Sequence, residues 1–160
     1  MQPGYLLRSQ YSIQESLASG YFGDTYLAID LDYRPQRYVV VKHLKPESKD
    51  PALLQIARRL FATEAMVLGR LGEVTNRIPA LYAYFEEQNE FYLVQEFIEG
   101  QTLSQELAAG KLSTIVTIHI LREILIGLSF VHAENTIHRD LKPDNMIRRS
   151  SDGSPSGGWI

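Results

Sequence analysis

Residues 137–147, IHRDLKPDNMI, constrain this chain more than any other stretch. Charged and amide side chains crowd between apolar ends, so the segment can be neither a core strand nor an apolar helix stripe. Pro143 removes a backbone donor and fixes one dihedral, which suits an ordered loop. The reading is a polar loop held between two buried anchors, with Asp140, Lys142 and Asn145 displayed along it. Catalytic loops are built in this way, on a rigid scaffold.

Bulk properties bound the alternatives. A chain of 160 residues that is 44% hydrophobic and 22% charged has the composition of an ordinary globular domain with a real core. A net charge of −3 supplies no basic footprint, so nucleic acid is not expected as a partner. The absence of cysteine excludes disulfides, thiolate metal sites and a cysteine nucleophile, and is compatible with a cytoplasmic setting. The opening MQPGYLLRSQY lacks a basic start followed by an apolar run, so no signal peptide is expected. The most apolar run, 112–131, is interrupted by His119, Arg122 and Glu123, which argues against a membrane span.

Residues 1–10 read as an N-terminal extension. Residues 11–17 have strand character and 26–29 can return antiparallel, so the intervening ASGYFGDT, with Gly20 and Gly23, forms a hairpin turn. The β-branched stretch YVVVKHL at 38–44 alternates so that Val40 and Lys42 share one face and Val39 and Val41 the other. A lysine in such a strand needs a carboxylate or a route to water, because an unpaired buried ammonium is costly. Asp50 followed by Pro51 starts a helix expected to run to about Leu71, with Gly72 as its stop. Its apolar stripe of Ala57, Leu60, Phe61, Leu68 and Leu71 carries Glu64 on the same face, so that carboxylate can fold back to meet Lys42.

Two strand-like runs, ALYAYFEE and EFYLVQEF, flank a turn at Gln88 and Asn89 and close a five-stranded sheet. The following FIEGQT loses apolar periodicity and reads as a hinge. Beyond it come a short helix at 103–109 stopped by Gly110, and a longer one capped by Ser113 or Thr114 and ending near Ala133. Ile118, Leu121, Leu125 and Leu128 recur along the longer helix at helical spacing. His119 and His132 lack any ligand spacing and read as structural.

His138, Arg139, Asp140 and Asn145 fit H-R-D-x-x-x-x-N, and with VVVK, Glu64 and the glycine-bearing hairpin the chain resembles eukaryotic-type protein kinases of the bacterial kind. Lys142, two residues after Asp140, resembles the serine/threonine branch. The resemblance implies an α+β kinase-like fold: a five-stranded antiparallel small lobe with one helix at 11–99, the opening of a helical lobe at 100–149, and a flexible Ser/Gly-rich tail at 150–160. It implies ATP and Mg²⁺ as cofactors and a protein carrying a serine or threonine hydroxyl as substrate. Asp140 would accept the hydroxyl proton, Lys142 would lie by the moving phosphoryl group, and Asn145 would offer its amide oxygen to Mg²⁺. Lys42 would grip the α- and β-phosphates with Glu64 as its partner, under a loop of Ala18, Ser19, Gly20, Gly23 and Thr25. Val40 would flank the base and Ile147 floor it, Gln95 would be the gatekeeper, and the main chain of Glu96 and Ile98 would bind adenine. His138 would pack under the loop and Arg139 would meet a phosphorylated activation loop.

The family pattern departs in three places, the first being Val40, which replaces the smaller alanine of V-A-I-K beside the base. Ala18 stands for the first glycine and Thr25 for the valine of G-x-G-x-x-G-x-V. After Asn145 an Asp-Phe-Gly should follow, but RRSSDGSPSGGWI contains none, and Asp152 is followed directly by glycine. By resemblance this is a kinase truncated before that motif, inactive alone, whose long helix exposes an apolar patch open to self-association. The alternative is a pseudokinase-like module that binds nucleotide or pairs with another kinase.

Overall fold

Alternating apolar residues build the first half of the chain into a sheet. In the computed structural model, which describes residues 1–20, 23–46, 50–138, 141–150 and 155–156, β1 (Leu6–Leu7), β2 (Tyr11–Gly20), β3 (Gly23–Asp30), β4 (Arg37–Leu44), β5 (Leu81–Glu87) and β6 (Glu90–Glu96) pair antiparallel in the order β1-β2-β3-β4-β6-β5. The sheet has six strands where the sequence suggested five. The additional strand is β1, whose Leu7 is fully buried while Arg8 and Ser9 turn back into β2 at φ 50° and 57°. Gln88 and Asn89, at φ 54° and 63°, form the two-residue β5–β6 turn, whose twist matches that of the flanking strands.

One face of the sheet is a core of Leu7, Tyr11, Ile13, Tyr26, Val39, Val41, Tyr92 and Val94. On the other, Phe61 of α1 (Pro51–Val74) packs its ring 4.9 Å from Phe91 and 6.1 Å from Tyr84. The Asp50 carboxylate caps the helix by accepting from the backbone N–H groups of Ala52 at 2.8 Å and Leu53 at 3.2 Å. Along α1, Leu54, Phe61, Ala65 and Leu71 are buried, as is Thr75 just beyond its end.

Three helix expectations need correction. Leu60 is exposed rather than on the stripe, and so is Glu64, one turn further along the same flank. Gly72 does not stop the helix, which continues to Val74. A Cβ there would lie 2.8 Å from the Ala80 Cα, so this glycine serves the close return of the chain.

Residues Met1–Met66 and Leu81–Phe97 form one compact unit, and Val67–Ala80 and Ile98–Ile160 a second. The second contains β7 (Gly100–Thr102), α2 (Leu103–Ala109), α3 (Thr114–Ala133), a 3-10 turn (Pro143–Asn145), β8 (Ile147–Arg149) and β9 (Pro155–Ser156). The three strands form an antiparallel sheet. Pro155 and Ser156, within the segment read as a tail, thus pair with β8. A Cβ on Gly100 would lie 1.9 Å from the Arg148 carbonyl oxygen, so β7 can approach β8 only without a side chain.

Thr102 caps α2 through a reciprocal box with Gln105, and Ser113 caps α3. Val131 joins Leu71 and Ile78 in a small core, and the Arg77 guanidinium donates from Nε to Glu123 at 3.0 Å. The opposite side of α3 is open: Ile115, Ile118, Leu121 and Leu125 are each more than half exposed. By length and composition alone α3 would qualify as a membrane-crossing helix, while here it carries the Arg77–Glu123 ion pair.

Candidate functional site

Register fixes which side chains of the first unit share a face. Lys42 lies opposite Thr25 and Leu93, Val40 opposite Leu27 and Gln95, and Ala18 opposite Thr25. Directly opposed residues in an antiparallel ladder project to the same side. Ala18, Thr25, Val40, Lys42 and Gln95 therefore share the face away from the Val39–Val41 core.

Lys42 is 7% exposed. Burial pushes its ammonium down from the ordinary lysine value to about 8, even though the nearby Glu64 carboxylate opposes that shift. The strand cation and the helix anion thus act on one another within one unit, although Glu64 itself is solvent-exposed.

Ala18, Ser19 and Gly20 are exposed at the end of β2, and Gly20 pairs with Gly23 across the hairpin. Tyr21 and Phe22 lie outside the described residues. Gly23 has a packing reason to be glycine: its φ is +143°, and a Cβ would lie 2.1 Å from the His43 carbonyl oxygen.

Sequence reasoning passed over Asp24, which organises the base of this hairpin. It accepts from the Ser19 hydroxyl at 2.6 Å, the Lys45 ammonium at 2.8 Å and the Tyr26 hydroxyl at 3.2 Å. The Lys45 ammonium, then the Ser19 hydroxyl, hold its carboxyl well below the usual carboxylate range. The available signal was an acid beginning one strand and a lysine just beyond the end of its neighbour.

Glu96 ends β6 opposite Val39, while Ile98 is buried in the second unit. There Lys142 is exposed in extended backbone before the 3-10 turn, and its carbonyl accepts from the Asn145 N–H at 3.0 Å. Asn145 is buried, and Ile147 lies opposite Thr102 on β8. The Met146 carbonyl accepts from the Leu103 N–H at 2.8 Å, tying this loop to the start of α2. Arg139 and Asp140 lie outside the described residues. A buried amide oxygen such as that of Asn145 is a suitable Mg²⁺ ligand type. Among the described residues no group of three or more histidine, aspartate or glutamate side chains is arranged to hold a metal.

A curled antiparallel sheet with a buried strand lysine facing a helix carboxylate, continued by capped helices and a short 3-10 loop, defines a kinase-like α+β domain. The solved PpkA-294 apo form superposes with a TM-score of 0.79 over 98% of this chain and 60% of that one, at 23% identity. The Mycobacterium tuberculosis PknI kinase domain superposes at 0.76 over 100% and 62%, at 19% identity. This chain belongs to the protein kinase domain family, whose profile matches residues 11–154. It is similar to Serine/threonine-protein kinase C of Synechocystis sp., 46% identical over 96% of this chain and 29% of that protein. It is also similar to Serine/threonine-protein kinase PknA of Nostoc sp., 43% identical over 94% of this chain and 27% of that protein. The chain thus spans less than a third of the length of these relatives.

Proposed function

We propose that this chain supplies the nucleotide-binding part and the catalytic loop of a protein serine/threonine kinase, which transfers the γ-phosphoryl group of ATP to a protein hydroxyl. The observation that carries the reading is Lys42: a largely buried ammonium, supported by Glu64, on the same sheet face as Ala18, Thr25, Val40 and Gln95. A cation held in so dry a place is suited to an anionic ligand. In this reading Lys42 binds the α- and β-phosphates, and the hairpin of Ala18, Ser19, Gly20, Gly23 and Thr25 covers them. In the first unit Val40, the gatekeeper Gln95 and the main chain of Glu96 are assigned to the base, and in the second Ile147 and the main chain of Ile98 are assigned to the same ligand.

Asp140 orients the substrate hydroxyl and takes its proton as the oxygen–phosphorus bond forms and the bond to ADP breaks. Lys142 lies by the transferred group as a compact cation. The Asn145 amide oxygen would help to hold a Mg²⁺ ion, which when bound would supply neutralisation of the phosphate charge. A cysteine-free domain of this kind suits the cytoplasm.

The departure at Ala18 and the packing role of Gly23 favour a second reading, a pseudokinase-like module that holds nucleotide without transferring phosphate. A thermal-shift titration with ATP separates the two. The kinase reading expects Mg²⁺-dependent stabilisation approaching about 2.7 kcal/mol at a hundredfold excess over Kd. A shift indifferent to Mg²⁺ favours the module, and no shift in a folded chain overturns both.

The open side of α3 adds a statement about association. Ile118, Leu121, Leu125 and Ile126, with Arg122 and Ser129, form an open, mostly apolar face along α3. A second copy is its proposed occupant. Size-exclusion chromatography is expected to show a concentration-dependent dimer that Leu121→Glu abolishes, and a monomer at all concentrations refutes this.

A further inference from the structure

Gln95 has chemistry that a space-filling gatekeeper does not need. It is 1% exposed, and its amide Nε2 has no hydrogen-bond partner among the described residues. A buried polar group left unpaired is destabilising, and Leu93, two residues earlier on the same face, shows that an apolar side chain fits this layer. An unused amide there would be poorer than a leucine.

The register shows what it can reach. Gln95 lies directly opposite Val40, which precedes Lys42 by two residues, or about 6.6 Å along the strand. A nucleotide with its phosphates at Lys42 and its base over Val40 would bring the base next to the Gln95 side chain, which projects from the same face.

We propose that the Gln95 amide reads the exocyclic group of a purine and lets this site accept both ATP and GTP. With Oε1 inward the amide accepts from the 6-amino group of adenine. Turned by half a rotation about its last torsion, it donates an Nε2 hydrogen to the 6-oxo group of guanine. A terminal amide, with a carbonyl oxygen and an NH₂ on one flat group, meets both needs, whereas a carboxylate repels the oxo group and a leucine or methionine meets neither. The inference rests on the nucleotide-binding reading above and adds the class of co-substrate.

The test uses the 160-residue chain and its Gln95→Met and Gln95→Leu variants, each checked for folding by circular dichroism. Binding of the Mg²⁺ complexes of ATP, GTP and purine riboside triphosphate, which lacks an exocyclic group, is measured by calorimetry. The wild-type chain is expected to bind ATP and GTP within about tenfold of each other, and each about fivefold more tightly than the purine analogue, the size of one neutral hydrogen bond. In both variants the three affinities should converge. Unchanged ratios in a folded variant, or GTP weaker than ATP by more than about a hundredfold, overturn the assignment of Gln95 and leave the nucleotide site standing. Failure of the folded wild-type chain to bind any of the three overturns both.

Discussion

Replacing Lys42 by methionine is expected to raise folding stability by about 3 kcal/mol at pH 7 while abolishing nucleotide binding. The side chain is 7% exposed, and burial lowers its ammonium from 10.5 to about 8 in spite of the Glu64 carboxylate. Each tenfold loss of proton affinity corresponds to about 1.4 kcal/mol, which gives the predicted gain. The sign follows from proton counting. Below pH 8 both states carry the charge, and the folded state bears the full cost of burying it. Between pH 8 and 10.5 the folded protein has released the proton while the unfolded chain retains it, so wild-type stability rises with pH across this window. The methionine variant has no such rise, and its advantage fades toward pH 10.5.

Urea denaturation at pH 7 and pH 10 measures both effects. A variant less stable than wild type at pH 7 would mean that contacts of the ammonium outweigh its desolvation. The opposing losses and gains are the mark of a group kept for a ligand. In the thermal-shift titration the methionine variant should be more stable at the outset and respond to Mg²⁺ and ATP not at all.

What could be read from the sequence was whatever local chemistry decides. The alternation of 38–44 fixed the faces of Val40 and Lys42, because a strand has period two whatever packs on it. The Asp50 cap and the Gln88–Asn89 turn were equally visible, each depending on side chains within a few residues. The catalytic-loop spacing carried the family assignment, later matched over residues 11–154.

Missed features depend on distant partners. β1 is two residues long and is a strand only because β2 offers it an edge. Leu60 belongs to an apolar pattern but faces water, since the angular setting of α1 follows how Phe61 and Ala65 dock. Gly72 looks like a terminator until the chain returning at Ala80 shows why it lacks a Cβ. The Asp24–Lys45 contact joins residues 21 apart in sequence, and nothing local links them.

Truncating Phe61 to alanine is expected to cost about 3–5 kcal/mol, the range for removing a large buried aromatic side chain from a core. Phe61 is 8% exposed and packs against Phe91 and Tyr84, so it secures the middle of α1 to the sheet. Glu64 is three residues further along that helix, and its charge opposes the downward shift of Lys42. Loosening the helix therefore removes packing and weakens this coupling together. Phe61→Leu, which keeps apolar volume, should recover most of the stability.

A double-mutant cycle tells the two losses apart. Glu64→Gln in the wild-type background should lower the Lys42 titration midpoint further below 8, read by ¹⁵N-detected NMR of the labelled lysine side chain. In the Phe61→Ala background the same substitution should move it much less, because the carboxylate has already left the vicinity of the ammonium. Equal shifts in both backgrounds would mean that Leu54 and Ala65 hold the helix without Phe61, and that the placement of Glu64 does not depend on the aromatic cluster.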